Sequence, residues 1–283
     1  MSNLFSGMEE FGLSQLSSDL EVFEHKTEEQ KQNESEPEVS QEELEADALF
    51  DKTMECPICD KSFKVKTIKT GKVKLLSADT DLRPKYQIVD SLKYDAIVCP
   101  HCGYAALRRF FPLMTSAQAK LIKENISANF KGINQEMEIL SYDDAIARHK
   151  LSLVNAIVKR GKISERAYIC LKTAWLLRGK NESLPEDTMD YNQVKKKLKE
   201  EEQEFIREAY NGFKEAFTKE GFPMCGMDEI TCTYLVADLA RRSGEYDDAS
   251  RWISKVLVSR NANERIKEKA RDIKEMLKDQ KVD

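Results

Sequence analysis

The sequence predicts a mainly α-helical protein in which a small β module precedes a helical body, and three observations carry that prediction. Two Cys-Pro-x-Cys stretches, "CPIC" and "CPHC", stand thirty-nine residues apart with strand-like alternation between them. From Thr115 onward the apolar residues recur at helical spacing and strand patterns disappear. Ahead of both, residues 1–50 hold fourteen Asp and Glu against two Lys, with no apolar periodicity. The expected organisation is a disordered acidic tail over 1–48, the β module over 49–114 and the helical part over 115–283.

The tail dominates the charge. The 283-residue chain has a net charge of −5 and its first 50 residues contribute −12, so the remaining 233 residues carry +7. "HKTEEQKQNESEPEVSQEE" is too polar to bury a core, and a solubilising leader is its plainest role. Two short exceptions interrupt it: "LFSGMEEFGLSQL" has the spacing of an amphipathic turn, and Ser40 with Glu43 forms the Ser-x-x-Glu signature of a helix start. No apolar run approaches the roughly 18 residues of a membrane helix, so no membrane partner is expected. The start also lacks the basic and apolar regions of a secretory signal. Seven cysteines, an odd number, point to reduced thiols and a cytoplasmic location.

The β module is expected to be zinc-ribbon-like, built on Cys56, Cys59, Cys99 and Cys102. Each pair sits in a Cys-Pro-x-Cys turn whose backbone N–H groups point at the sulfurs, and Gly103 supplies the positive φ that closes the second turn. Asp60 holds the corresponding position after the first pair; Asp tolerates left-handed backbone better than most residues, so that turn is expected to close as well. Four thiolates around a d¹⁰ ion make a closed tetrahedral site, for which one structural zinc ion is the default, with no position left open for catalysis. His101, inside the second turn, is expected to point away from the metal.

Between the pairs, "SFKVKT" and "KVKLL" read as strands joined by a turn at Gly71, and "YDAIV" as the last strand. Lys61, Lys64, Lys66, Lys69, Lys72 and Lys74 fall within fourteen residues that hold no acid. Such a ribbon suits a phosphate backbone. Lysines also keep edge strands soluble, and the one aromatic residue among them, Phe63, alternates to the side opposite Lys64 and Lys66 rather than lying among the charges. "DTDLRPKY" then crowds Asp79, Asp81, Arg83 and Tyr86 together. Asp-Thr-Asp most simply closes a turn with Arg83 as its partner, while a ligand-contacting cluster is the alternative.

The two turns, with "DTDLRPKY" and "CGYAA", resemble the signature of a bacterial family known only as a numbered domain of unknown function. The resemblance runs from about Lys52 to the end of the chain. It implies zinc binding at the four cysteines and no assigned activity.

In the helical part, Ser116 is expected to cap a helix ending at Gly132, a second helix to end at Gly161, and Ser164 to cap a third ending at Gly179. A long charged helix follows over about 187–220. In "YLVADLARRSGEYDDASRWISKVL", Gly244, Tyr246, Ala249 and the Val256–Leu257 pair resemble the turn and second helix of a tetratricopeptide repeat. "GKISERA" at Gly161 echoes it weakly, so the body is expected to be tetratricopeptide-like, with "NERIKEKARDIKEMLKDQ" as a capping helix. Cys170, Cys225 and Cys232 lack metal spacing, His149 sits on an apolar stripe, and Trp175 and Trp252 are expected in the core.

There is no phosphate-cradling glycine loop, nucleophile elbow or histidine pair, which argues against an enzyme. The first functional expectation is a zinc-binding interaction adaptor whose helical groove takes a protein or peptide partner. The second is a nucleic-acid-associated factor binding through Lys61–Lys74. The third is an enzyme with Asp79, Asp81 and Arg83 converging at a cleft.

Overall fold

In the computed structural model, which describes residues 40–280, each Cys-Pro-x-Cys stretch is the tip of a β-hairpin. Strands β1 (Leu49–Glu55) and β2 (Ser62–Ile68) run antiparallel with Leu49 opposite Ile68 and Glu55 opposite Ser62. Strands β3 (Leu75–Ala78) and β4 (Pro84–Tyr86) form a second hairpin, irregular between Leu75 and Ser77. A 3-10 turn (Ser91–Tyr94) leads into β5 (Ala96–Val98), which pairs with β6 (Ala105–Leu107). Helix α1 (Gln41–Asp47) precedes β1, as the Ser40–Glu43 signature predicts. Its one buried residue, Glu45, pairs with the buried Lys93 at 2.6 Å and accepts a hydrogen bond from Tyr94. The acidic segment before it lies outside the described residues.

Strand alternation places the β2 side chains as expected. Phe63 and Val65 face the apolar cluster behind the cysteines, and Lys64 and Lys66 take the other face. β1 was hidden in the sequence because "LFDKTME" mixes polar residues into both faces. β6 was hidden by its brevity, so "YDAIV" is not the last strand. The strand expected at "KVKLL" starts three residues later and ends two later, at Leu75–Ala78.

The helices are α2 (Ser116–Ile122), α3 (Tyr142–Val158), α4 (Ile163–Glu182), α5 (Tyr191–Lys219), α6 (Glu229–Arg242), α7 (Tyr246–Val258) and α8 (Glu264–Gln280). With α1 they make eight among the described residues, and none is long and apolar enough to cross a membrane. From α3 onward each packs on the next in sequence, and α3 also packs on β5 and β6. Among the described residues, 41–280 thereby form one compact unit.

The expected helix ends differ in instructive ways. Thr115, not Ser116, caps α2, through a capping box with Gln118. This helix gives way to a π turn over Lys123–Ser127 well before Gly132. Helix α4 starts without a side-chain cap of its own. Glu220, at the end of α5, accepts from Ile163 N at 2.6 Å and from the Ser164 hydroxyl at 2.5 Å. That carboxylate satisfies the orphan N–H groups of a neighbouring helix. Gly179 does not stop α4. A Cβ there would meet the Tyr142 ring at 2.7 Å, so this glycine is a notch for α3, and α4 continues to Glu182.

The main core lies between α3 and α8 and includes Leu171, Trp175, Phe213, Tyr234 and Ile253, all buried. Trp252 packs against it, partly buried. His149 is fully buried on α3 and bonds to Ala145 O through Nδ1 at 2.8 Å, while Nε2 has no partner. Burial pushes its pKa down to about 4, against the attraction of the Asp95 carboxylate. The unfolded chain therefore takes up the proton first. Stability from the neutral ring is complete above the unfolded pKa of about 6.5 and is lost as pH falls towards 4. Chemical denaturation of the wild type and His149→Gln between pH 7.5 and 4 should show the wild type losing about 3 kcal/mol more than the variant.

Candidate metal centre

The two hairpin tips are the same turn made twice. In the first, Cys56 N donates to Lys61 O at 3.1 Å and Asp60 N to Cys56 O at 2.9 Å. In the second, Cys99 N donates to Tyr104 O at 2.8 Å and Gly103 N to Cys99 O at 3.0 Å. Asp60 and Gly103 occupy matching left-handed positions, at φ +57° and +72°. Gly103 is needed for a second reason, because a Cβ there would lie 2.6 Å from the Phe130 ring. Ile58 N points at Cys56 Sγ from 3.4 Å.

The turns face each other and bring four sulfurs together. Cys56 Sγ lies 3.6 Å from Cys102 Sγ, Cys59 Sγ lies 3.7 Å from Cys99 Sγ, and all four lie within 4.8 Å of one another. A tetrahedral ion with metal–sulfur bonds near 2.3 Å sets its sulfurs about 3.8 Å apart, so the donor set fits one such ion. The spacing is far beyond a disulfide bond, and all four thiols are free. Cys56, Cys99 and Cys102 are buried and Cys59 is half-buried.

Electrostatics make the same point. Cys102 is pushed far up by its hydrogen bonds with Cys56 and Cys99, while hydrogen bonds from Cys102 and Cys56 draw Cys99 down. Crowded thiols of this kind cannot all ionise unless a cation takes up the charge. His101 is exposed and turns outward, its Nε2 lying 3.4 Å from Ser62 O. Behind the cysteines, Tyr104 and Phe111 stack at 4.8 Å, and Phe63 meets Phe111 at 6.0 Å. The helical body grips the second turn directly, since the buried Asn155 of α3 donates to Gly103 O at 3.2 Å.

A family model described as "Uncharacterized protein conserved in bacteria (DUF2225)" matches residues 49–277. The chain belongs to this family. No curated protein and no solved structure matches it. In this DUF2225 chain the matched region takes in both cysteine turns and nearly all of the helical body.

"DTDLRPKY" is where the β3–β4 hairpin enters that body. Asp81, with no exposed surface, receives Arg178 Nη2 at 2.7 Å and Nη1 at 3.1 Å, and accepts from Arg83 N at 3.4 Å. Arg178 also bonds Asp79 at 2.9 Å and Glu202 at 2.7 Å. Arg83, nearly buried, meets Glu182 at 2.9 Å and Asp79 at 3.6 Å. Thr80 bonds Asp238 at 2.7 Å, and Asp238 holds Arg241 and Arg242. Burial alone would raise the Asp81 pKa; the hydrogen bonds and charge of Arg178, helped by Arg242, outweigh it and hold the group ionised.

The motif thus closes a turn and stitches it to α4, α5 and α6. Asp81 has no face left for a substrate. Tyr86 is half-buried on β4, opposite Leu75, and joins no part of this network. Sequence reasoning missed Arg178, Glu202, Asp238 and Arg242, the partners that define it. The signal in reach was a buried-side Arg178 in a helix that is otherwise apolar there.

Three of the six lysines are already paired with carboxylates. Lys66 pairs with Asp51 at 3.0 Å, and Lys69 and Lys72 both pair with Asp47, at 3.5 and 2.8 Å. Lys61, Lys64 and Lys74 are exposed. Cys170, Cys225 and Cys232 are buried away from the cluster, each with its thiol pushed up to about 12 by burial. Removing Arg178 strands Asp81 and Glu202 in the interior. Arg178→Met should cost roughly 3–5 kcal/mol in urea unfolding. Lys66→Ala, at an exposed pair, should change stability by less than about 1 kcal/mol.

Proposed function

We propose that this protein is a cytoplasmic zinc-binding interaction adaptor, with one structural zinc ion at Cys56, Cys59, Cys99 and Cys102 and a protein or peptide as its partner. Zinc follows from the chemistry of the donor set: four sulfurs in a closed, tetrahedral arrangement with no open position. The helical body is read as tetratricopeptide-like. Support for that comes from the sequential helix pairs, the left-handed Gly244 between α6 and α7, the half-buried Tyr246 and the fully buried Ala249.

One observation carries the adaptor reading. β3 is an edge strand that shows solvent Leu75 and Leu76, 58% and 59% exposed, with Val73 just before them at 41%. Successive strand residues point to opposite faces, so neither face of this hairpin is covered at that point. Soluble proteins normally protect such an edge with charge or cover, and a bare apolar edge is a place for another chain to pair.

Metal analysis of the protein purified from bacteria should give about one zinc per chain, and Cys99→Ser should lose it. Because Asn155 ties the second turn to α3, chelation should lower the melting temperature of the whole unit in a single transition. For the partner, the full chain and Leu75→Ser/Leu76→Ser should be used to capture proteins from a bacterial lysate, with and without nuclease. Partners that survive nuclease and are lost from the variant support the adaptor. Partners lost with nuclease, alongside co-purified nucleic acid, move the reading to the exposed Lys61, Lys64 and Lys74.

A further inference from the structure

A groove of about 640 Å³ runs along β2, between that strand, the second cysteine turn and the segment 135–140. Arg148 of α3 lines it and is only 7% exposed. The described chain has three buried arginines, and they are treated differently. Arg83 and Arg178 both meet carboxylates, whereas Arg148 forms no ion pair among the described residues. Among the described residues its guanidinium makes one hydrogen bond, from Nη2 to Asn134 O at 3.1 Å, and its Nε is buried without a partner.

Asp144, one turn earlier on α3, is no substitute, because its carboxylate accepts from Ser141 N and Oγ at the helix start. Burial accordingly pulls the Arg148 pKa down, with Asp144 only partly opposing it. A guanidinium kept in the interior without a carboxylate is costly, and stable folding alone gives no reason to keep it.

The rest of the groove narrows what would pair with it. Tyr94, Val98, Met137 and Leu140 give it an apolar lining. Lys66 is already taken by Asp51, but Lys64 on the same sheet face has no ion pair among the described residues. Glu136 and Glu138 also line the groove, both exposed, and would repel a polyanion. A single negative group on an apolar body suits this combination. The volume lies within the usual range of small-molecule sites.

We propose that this groove binds a small amphipathic organic anion, with one carboxylate or phosphate group seated on Arg148 and the apolar body lying along Tyr94, Val98 and Met137. Guanidinium pairs with either head group through parallel N–H donors, so both sources share one chemistry.

The test is calorimetric titration of the full, metal-loaded chain with octanoate, octyl phosphate and 1-octanol. The expected result is saturable one-to-one binding of at least one anion, with the uncharged alcohol at least about 10-fold weaker; the stronger of the two anions identifies the head group. Arg148→Met should weaken the anion by about 10-fold or more while leaving the melting temperature unchanged or higher, because an unpaired buried charge is removed. Lys64→Gln, an exposed change that does not threaten folding, should weaken it by about 2- to 3-fold. The proposal is overturned if neither anion saturates below about 1 mM. It is also overturned if 1-octanol binds as well as the anions, or if Arg148→Met lowers the melting temperature and keeps full anion affinity.

Discussion

The bidentate pair between Asp81 and Arg178 joins a tight turn of the β module to the last turns of a buried helix, and burial makes it obligatory from both sides. An ionised carboxylate with no exposed surface is tolerable only beside a cation, and Arg178 in turn is held by three carboxylates. Moving the hairpin away from α4 would leave Arg178 with Glu202 alone and strip Asp81 of its bidentate partner. The orientation of the β module on the helices therefore rests on hydrogen-bond geometry as well as on apolar area.

A different constraint organises the module itself. Its three hairpins are short and its apolar cluster is small, centred on Ile58, Phe63, Tyr104 and Phe111 beside the sulfurs. Segments of this size seldom bury enough surface to hold themselves together, and a metal staple is the common remedy. Here the staple and the body are mechanically connected: Asn155 holds the Gly103 carbonyl, and Lys172 of α4 pairs with Asp95 beside β5. The cysteine cluster and the ion network act on the same module at two separate places.

What could be read from the sequence was local. The cysteine turns were legible because each is defined by four or five consecutive residues, down to Asp60 standing in for glycine. The helical character was legible because periodicity repeats over many residues. The features that stayed hidden depend on partners far along the chain. Asp81 meets Arg178 across 97 residues, and the start of α4 is capped from 57 residues away by Glu220. Gly179 looked like a stop because a glycine in a helix usually marks one; its role is set by the Tyr142 ring, which no local pattern announces. Arg148 was hidden for the opposite reason, since what sets it apart is the lack of a carboxylate partner among the described residues.

The two carboxylates that α5 extends to α4 have a consequence for how this chain can vary. Glu202 holds Arg178 near one end of α4, and Glu220 holds Ile163 and Ser164 at the other. They stand eighteen residues apart, Glu202 within α5 and Glu220 at its C-cap; at 3.6 residues per turn that is about five turns, in keeping with both reaching α4. A single inserted or deleted residue between them would rotate one against the other by roughly 100° and release one of the two grips. Relatives of this protein should therefore differ in length within the connection over 183–190 and keep the spacing from Glu202 to Glu220 fixed. That span works as a ruler.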